Sequence, residues 1–139
     1  EKVPELAFYI PLIMAMGGNI GVQSSAIVVQ SLAKDSNPLG SIFKKIARES
    51  IVALINGAFL SILIFAIAFA FGNSTLGFVV SISLFAVILV AAIFGTLIPL
   101  LLNKYKIDPA LATGPFITTL NDVVGLFIYF TIGMMMYNL

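Results

Sequence analysis

A single carboxylate in the middle of a long apolar run is the group in this sequence best placed to do chemistry. Asp122 lies inside the run of residues 109–137 and is the only charged residue deep within any apolar run. A carboxylate at membrane depth costs roughly 3 kcal/mol on insertion scales. No Lys or Arg lies at comparable depth to offset that cost. The sequence therefore favours a metal cation as the partner of Asp122.

Small and oxygen-bearing residues surround Asp122 in sequence. If residues 109–137 form one helix, Thr118, Thr119 and Gly125 fall within roughly 60° of Asp122 around its axis. A Gly114-Pro115 pair inside that helix would free backbone carbonyls, which at membrane depth are tolerated where they are buried or line a cavity. We therefore expect an oxygen-lined ion path, and the residues of this segment expected to line it are Ala112, Gly114, Thr118, Thr119 and Gly125.

The first apolar run, residues 6–32, has one polar face and one face of small residues. At about 100° per residue, Asn19, Gln23 and Gln30 lie within roughly 40° of one another. This polar face indicates contact with water or an ion, although interhelical hydrogen bonding stays open as an alternative. Close helix packing is predicted for the opposite face, where small residues recur every four positions: Gly17, Gly21 and Ser25.

The missing residue types narrow the choice of ion. The chain has no cysteine and no histidine, so a dedicated site for Zn²⁺, Cu⁺ or Ni²⁺ is not expected. Oxygen ligands suit hard cations, and Mg²⁺ usually keeps several of its waters when a protein binds it. A twofold dimer would bring two Asp122 carboxylates to one axis and match the charge of one dication. Mg²⁺ is favoured on this basis, while Ca²⁺ and Mn²⁺ remain open.

Two further states of Asp122 also remain open at this point. A protonated Asp122 hydrogen-bonded to Thr118 would be purely structural. Alternatively, Asp122 would carry protons across the membrane.

The elements that must position these residues are membrane-spanning helices. The chain of 139 residues is 60% hydrophobic and 9% charged, far below the roughly 25% charged residues of a soluble domain. Because a span needs about 20 apolar residues, the sequence predicts an all-α integral membrane fold. Residues 1–139 are expected to form one ion-conducting domain with four spans, at about residues 6–32, 50–71, 76–102 and 109–137.

Local sequence patterns predict the connections between these spans. A short interfacial helix is predicted before the second span, begun by Asn37-Pro38. The second and third spans are expected to form a hairpin across an uncharged turn. Asp108 is predicted to cap the last helix, with Pro109 at its first position.

Basic residues predict the orientation. Six of the seven Lys and Arg residues fall in the loop around residues 34–48 or in the turn at residues 104–106, and the positive-inside rule assigns both connections to the cytoplasm. The chain begins at Glu1 rather than at methionine, so we expect a fragment of a longer protein or a processed chain. Four spans in this orientation leave both ends outside, so a longer protein with cytoplasmic N-terminal parts would need an odd number of further spans upstream.

Two stretches resemble the signature motifs of the MgtE family of Mg²⁺ channels and transporters, which is similar to the animal solute-carrier Mg²⁺ transporters. They are MGGNIGVQ at residues 16–23 and DPALATGPFITTLNDVVG at residues 108–125. The resemblance implies a dimer with five helices per subunit, of which this chain contains helices two to five. It also implies a pore lined by helices two and five of both subunits.

The resemblance further assigns roles to residues. It implies that Asp122 is the main ion-selecting group and holds a hydrated Mg²⁺, and that Asn19 lines the pore. Relatives commonly have a polar residue at the position of Val22, so secondary ion contacts in this chain are expected to differ from theirs. Cytoplasmic regulatory domains that sense Mg²⁺ occur in many relatives, and nothing of that kind is present in this sequence.

The expected function is therefore Mg²⁺ transport by a homodimer in the cell membrane, through a pore that Asn19, Gln23 and Thr118 help to line around Asp122. Two alternatives are a proton- or Na⁺-coupled divalent cation carrier and a non-transporting membrane assembly domain. The sequence carries no enzyme motif, and no nucleic-acid partner is expected. Membrane lipid, a second copy of the chain and regulatory domains outside this sequence are the expected partners.

Overall fold

The computed structural model describes residues 4–34, 38–71 and 73–137, and in these ranges every regular element is helical. A 3-10 helix at Pro4–Tyr9 leads into α1 (Ile10–Lys34), α2 (Pro38–Ala70) and α3 (Ser74–Lys104), and a second 3-10 helix at Pro109–Ala112 precedes α4 (Pro115–Tyr137). Four stretches are long and apolar enough to cross a membrane: Pro4–Lys34, Ile46–Ala70, Ser74–Lys104 and Pro115–Tyr137. The predicted all-α membrane fold with four spans is confirmed.

Helix α3 is the centre of the bundle and packs against the other three helices. Its fully buried side chains include Val79, Leu84 and Ile88, which belong to one core cluster with Ile13 of α1 and Tyr129 of α4. In contrast, α2 packs mainly on α3 and leaves large apolar side chains on the outside of the bundle. They include Ile55, Phe59 and Ile62. This arrangement suits an outer helix that faces lipid.

The hairpin of α2 and α3 forms as predicted. Asn73 caps α3, because its side-chain Oδ1 accepts a hydrogen bond of 2.9 Å from the backbone N–H of Leu76. Close to this turn, a Cβ added at Gly77 would lie 3.1 Å from the Cβ of Ala68. The two helices therefore begin their contact directly at the turn.

The prediction of a separate interfacial helix before the second span is wrong. Helix α2 runs without a break from Pro38 to Ala70 and includes the basic segment. Residues 39–70 contain no proline, so nothing in the backbone forces the helix to end at the membrane surface. Pro38 does begin the helix, whereas the predicted cap Asn37 lies outside the described residues.

The last span begins later than predicted, at Pro115 rather than at Pro109. The ring of Pro115 would clash with the carbonyl four residues earlier in a continuous helix, and proline disfavours helical geometry in the residue before it. Gly114 takes a left-handed conformation with φ of 58°. Asp108 consequently caps only the 3-10 helix, where its Oδ1 accepts a hydrogen bond of 2.9 Å from the N–H of Ala110.

Candidate functional site

Asp122 lies where α1 and α4 face each other. We call this contact the α1–α4 seam, formed by Gly17, Gly18 and Gly21 of α1 and by Thr118, Asn121 and Asp122 of α4. A Cβ added at Gly18 would lie 3.7 Å from Oδ1 of Asp122 and 3.2 Å from Cγ2 of Thr118. The Asp122 carboxylate therefore lies close to the α1 backbone, and no side chain of residue 18 stands between them.

The Asp122 carboxylate lies well away from the start of α4, and it is not fully buried. Asp122 is the eighth residue of α4, about 10 Å along the axis from Pro115 at a rise of 1.5 Å per residue. Its side chain is partly exposed, whereas Gly18 opposite it is buried. A charge in this position is within reach of water or an ion from outside the single chain.

Thr118 uses its hydroxyl proton within α4. Its Oγ1 donates a hydrogen bond of 3.0 Å to the carbonyl of Gly114, which also accepts a 3.1 Å bond from the Thr118 N–H. Since Gly114 precedes the helix, its carbonyl is occupied by these first-turn bonds and is not freed by a break inside the helix, as the sequence had suggested. The oxygen of Thr118 keeps lone pairs that remain available to a water or an ion.

The polar face of α1 lies on the outside of the single chain. Asn19, Gln23 and Gln30 are all exposed, and Thr119 of α4 is exposed as well. Their polar atoms form no hydrogen bond with another helix within the described ranges. Amide side chains at this depth therefore remain free to bind water, an ion or a second copy of the chain.

Three predicted lining residues occupy different surroundings from Asp122. Ala112 is fully buried, and its carbonyl accepts a hydrogen bond of 2.5 Å from Oγ of Ser25. Gly125 is buried against the core, where an added Cβ would lie 3.3 Å from Val87. Gly114 has no atom within 4 Å of its added Cβ. Thr118 is thus the predicted lining residue that the structure places directly with Asp122 at Gly18.

The small residues of α1 lie at the closest helix contacts. An added Cβ at Gly17 would lie 2.9 Å from Cγ1 of Val87, and one at Gly21 would overlap the side-chain amide of Asn121. Ser25, one turn further on, is fully buried. Helix α3 approaches α1 from another side, since an added Cβ at Gly95 would overlap the Gly21 carbonyl.

Sequence reasoning missed two residues of the seam. Gly18 had no assigned role, although a glycine beside Gly17 widens the surface on which another helix can approach. Asn121 was also not assigned, because it differs by about 100° in direction from Asp122 on the helix. Its side chain is only 2% exposed, and neither of its amide atoms has a hydrogen-bond partner in the described chain.

A second carboxylate lies beside the polar face of α1. Glu49 of α2 lines a crevice of about 10 Å³ together with Gln23 and Ser24 of α1. No local pattern indicates this crevice, because Glu49 follows Arg48 in what resembles an ordinary charged flank. The crevice adds oxygen atoms next to Gln23.

One chain offers a cation few charged ligands. No group of three Asp, Glu, His or Cys residues that could hold a metal occurs among residues 4–34, 38–71 and 73–137. A single carboxylate with nearby hydroxyl and amide oxygens suits a cation that keeps most of its water shell, as Mg²⁺ tends to do.

The fold and the site together define an integral membrane domain with one ionisable group facing a helix seam, a placement typical of membrane proteins that move ions. Residues 10–132 match the family model MgtE, described as a divalent cation transporter. The chain therefore belongs to the MgtE family.

Three relatives are similar over nearly the whole chain, and each is named magnesium transporter MgtE. The Bacillus subtilis protein is 44% identical over 134 residues, which is 96% of this chain and 30% of the relative. The Enterococcus faecalis protein is 39% identical over 94% of this chain and 29% of its own length. For the Thermus thermophilus protein the identity is 35%, over 96% of this chain and 30% of the relative. The chain thus spans about three tenths of the length of these relatives.

Proposed function

We propose that this chain is the ion-conducting membrane domain of a Mg²⁺ transporter. A hydrated divalent cation would pass through a dimeric pore lined by α1 and α4, with Asp122 as the selecting carboxylate. The observation that carries the proposal is the position of Asp122, partly exposed and placed against the bare backbone of Gly18. The relatives named as magnesium transporters support Mg²⁺ as the ion.

The surroundings of Asp122 favour a hydrated ion over a stripped one. A dehydrated Mg²⁺ needs near-ideal octahedral oxygen ligands, and the single carboxylate beside Thr118 does not supply them. Because Asp122 is partly exposed, an ion with its first water shell could approach the carboxylate from outside the single chain. Charge attraction from Asp122 and hydrogen bonds from the waters to Thr118 would then hold the ion without removing its water.

The proposed dimer follows from what one chain leaves exposed. Asn19, Gln23 and Thr119 would be unfavourable against lipid tails, where polar groups lose their hydrogen bonds. A second copy related by a twofold axis would cover this face and enclose water between the two chains. The same symmetry pairs two Asp122 carboxylates, which balance the charge of one dication.

Mg²⁺ uptake into proteoliposomes tests the proposal. We expect Asp122→Asn to reduce the flux at least about 100-fold, since removing the charge also removes several kcal/mol of cation attraction at low dielectric. Asp108→Asn is the matched control, because Asp108 is exposed and lies outside the spans. Its flux should equal that of the unmodified chain. Undiminished Mg²⁺ flux in folded Asp122→Asn would remove Asp122 from the proposal.

The same assay separates the alternatives. Flux driven by voltage alone supports a channel, whereas a requirement for a proton or Na⁺ gradient would indicate a coupled carrier that uses Asp122. If neither flux nor Mg²⁺-dependent thermal stabilisation occurs, a non-transporting assembly domain becomes the better explanation.

A further inference from the structure

The side-chain amide of Asn121 is buried without a hydrogen-bond partner in the described part of the chain. The side chain is 2% exposed, and neither Nδ2 nor Oδ1 has a hydrogen-bond partner in the described part of the chain. Buried polar side chains in proteins are nearly always hydrogen-bonded, so an exception asks for an explanation. The shape of the α1–α4 seam offers one.

The amide fills the space that Gly21 leaves open. An added Cβ at Gly21 would overlap Nδ2 of Asn121 and lie 3.0 Å from its Cγ. One turn earlier, an added Cβ at Gly17 would lie 4.0 Å from the Cβ of Asn121. The Asn121 side chain therefore lies across both glycines, and its size matches the gap between α1 and α4.

Helix α3 also holds α1 closely at this point. Gly95 of α3 approaches the Gly21 backbone so closely that an added Cβ would overlap the Gly21 carbonyl and lie 2.9 Å from the Cβ of Ser24. An enlargement at Gly21 must therefore be taken up on the α4 side, by the Asn121 side chain or by a shift of α4. Because Asn121 and Asp122 are adjacent, a shift or rotation of α4 at Asn121 also moves Asp122 relative to Gly18.

We propose that Asn121 is a positioning residue, which fits against Gly21 and thereby holds Asp122 beside Gly18. The Asn121 side chain acts by filling the space between α1 and α4 at Gly21. Its effect on ion passage rests on the proposed function, whereas its effect on the position of residue 122 does not. These two consequences can be measured separately.

The position of residue 122 can be measured without any transport. The chain contains no cysteine, so Asp122→Cys provides a unique thiol. Its reaction rate with a positively charged, membrane-impermeant methanethiosulfonate reagent in proteoliposomes reports how accessible position 122 is to water. The rate would be compared in the background of Gly21→Ala, of Asn121→Ser and of both changes together.

We expect Gly21→Ala to change the labelling rate by about tenfold or more, and the added Asn121→Ser to return it to within about threefold, as coupled neighbours do. Gly57→Ala is the matched control, since Gly57 lies in α2 away from the seam and its added Cβ would meet its nearest atom, on the Phe85 side chain, only at 3.3 Å. An unchanged rate in folded Gly21→Ala, or a double variant as altered as Gly21→Ala, would overturn the proposal. If Gly21→Ala does not fold, recovery of folding in the double variant supports the contact and lack of recovery overturns it.

The transport consequence is measured with Asp122 intact. We expect Asn121→Ser to raise the half-saturating Mg²⁺ concentration and to weaken the preference for Mg²⁺ over Ca²⁺, while the maximal flux is retained. A purely structural role would lower the amount of folded protein and leave the ion preference unchanged. The expected labelling pattern in a chain that shows no flux would support Asn121 as a positioning residue while contradicting the proposed function.

Discussion

The two sides of this bundle pack in different ways. Between α2 and α3 the contacts are made by large apolar side chains, such as the rings of Phe65 and Phe78 with centroids 4.6 Å apart. These two helices also leave open apolar grooves of about 350 Å³ and 320 Å³ along their contact. In the α1–α4 seam, by contrast, glycines bring backbone against polar side chains. The polar residues Asn121 and Asp122 lie there and not in the α2–α3 hairpin.

The difference sets the outer α2–α3 hairpin apart from the seam that holds the proposed ion site. Flexible apolar side chains around a cavity can adjust to a change in volume, whereas a backbone in direct contact cannot. Glycine contacts therefore hold Asp122 in a defined position. The α2–α3 hairpin supplies apolar surface toward the lipid and a supporting wall. Substitutions of equal size should consequently have unequal effects in the two regions.

The largest effect is expected where α3 meets the backbone of α1. Gly95→Ala should destabilise the folded protein by about 3 kcal/mol, because the new methyl group meets the Gly21 carbonyl and no side chain can move away. Denaturant unfolding in detergent micelles measures the loss. Gly57→Ala, which faces the Phe85 and Ile88 side chains of the other region, should cost less than about 1 kcal/mol. Equal losses at both glycines would contradict the idea that a contact with backbone tolerates added volume less well than a contact with side chains.

An intermediate effect is expected where α4 is tied to the start of the chain. The buried hydroxyl of Tyr129 donates a hydrogen bond of 2.8 Å to the carbonyl of Leu6. Tyr129→Phe should therefore cost about 1.5 kcal/mol of unfolding free energy, since a buried acceptor loses its donor. Tyr105→Phe is a suitable control, because Tyr105 is 69% exposed. A Tyr129→Phe variant as stable as this control would show that the bond contributes nothing.

The smallest effect is expected in the α2–α3 hairpin, and its sign is opposite. Ala92 lines the open groove of about 350 Å³ together with Leu54 and Ile93. Filling that space by Ala92→Leu should raise the unfolding free energy by about 0.5–1 kcal/mol. Thermal unfolding of the purified protein would show the gain. Destabilisation instead would mean that this contact is as rigid as the α1–α4 seam.

Much of the architecture could be predicted from local patterns. The four spans follow from long apolar runs, and the turn before α3 follows from the short uncharged stretch between two of these runs. Two boundaries could not be predicted this way. The apolar and basic parts of α2 join into one helix, and the last span begins only at Pro115, where the left-handed Gly114 ends the preceding turn. Helix ends depend on one or two residues and on the packing around them, so periodicity over a long window does not locate them.

The candidate site likewise has one part that the sequence predicts and another part that it does not. The sequence by itself determined that Asp122 is an isolated carboxylate at membrane depth and that α1 has a polar face with Asn19 and Gln23, because charge, length and helical period are local properties. Only the tertiary structure decided that Asp122 lies against Gly18 and that Asn121 fills the space at Gly21. Those pairs come from helices about 100 residues apart in sequence. Their contact depends on how α3 holds α1 and α4 together, and no local pattern contains that information.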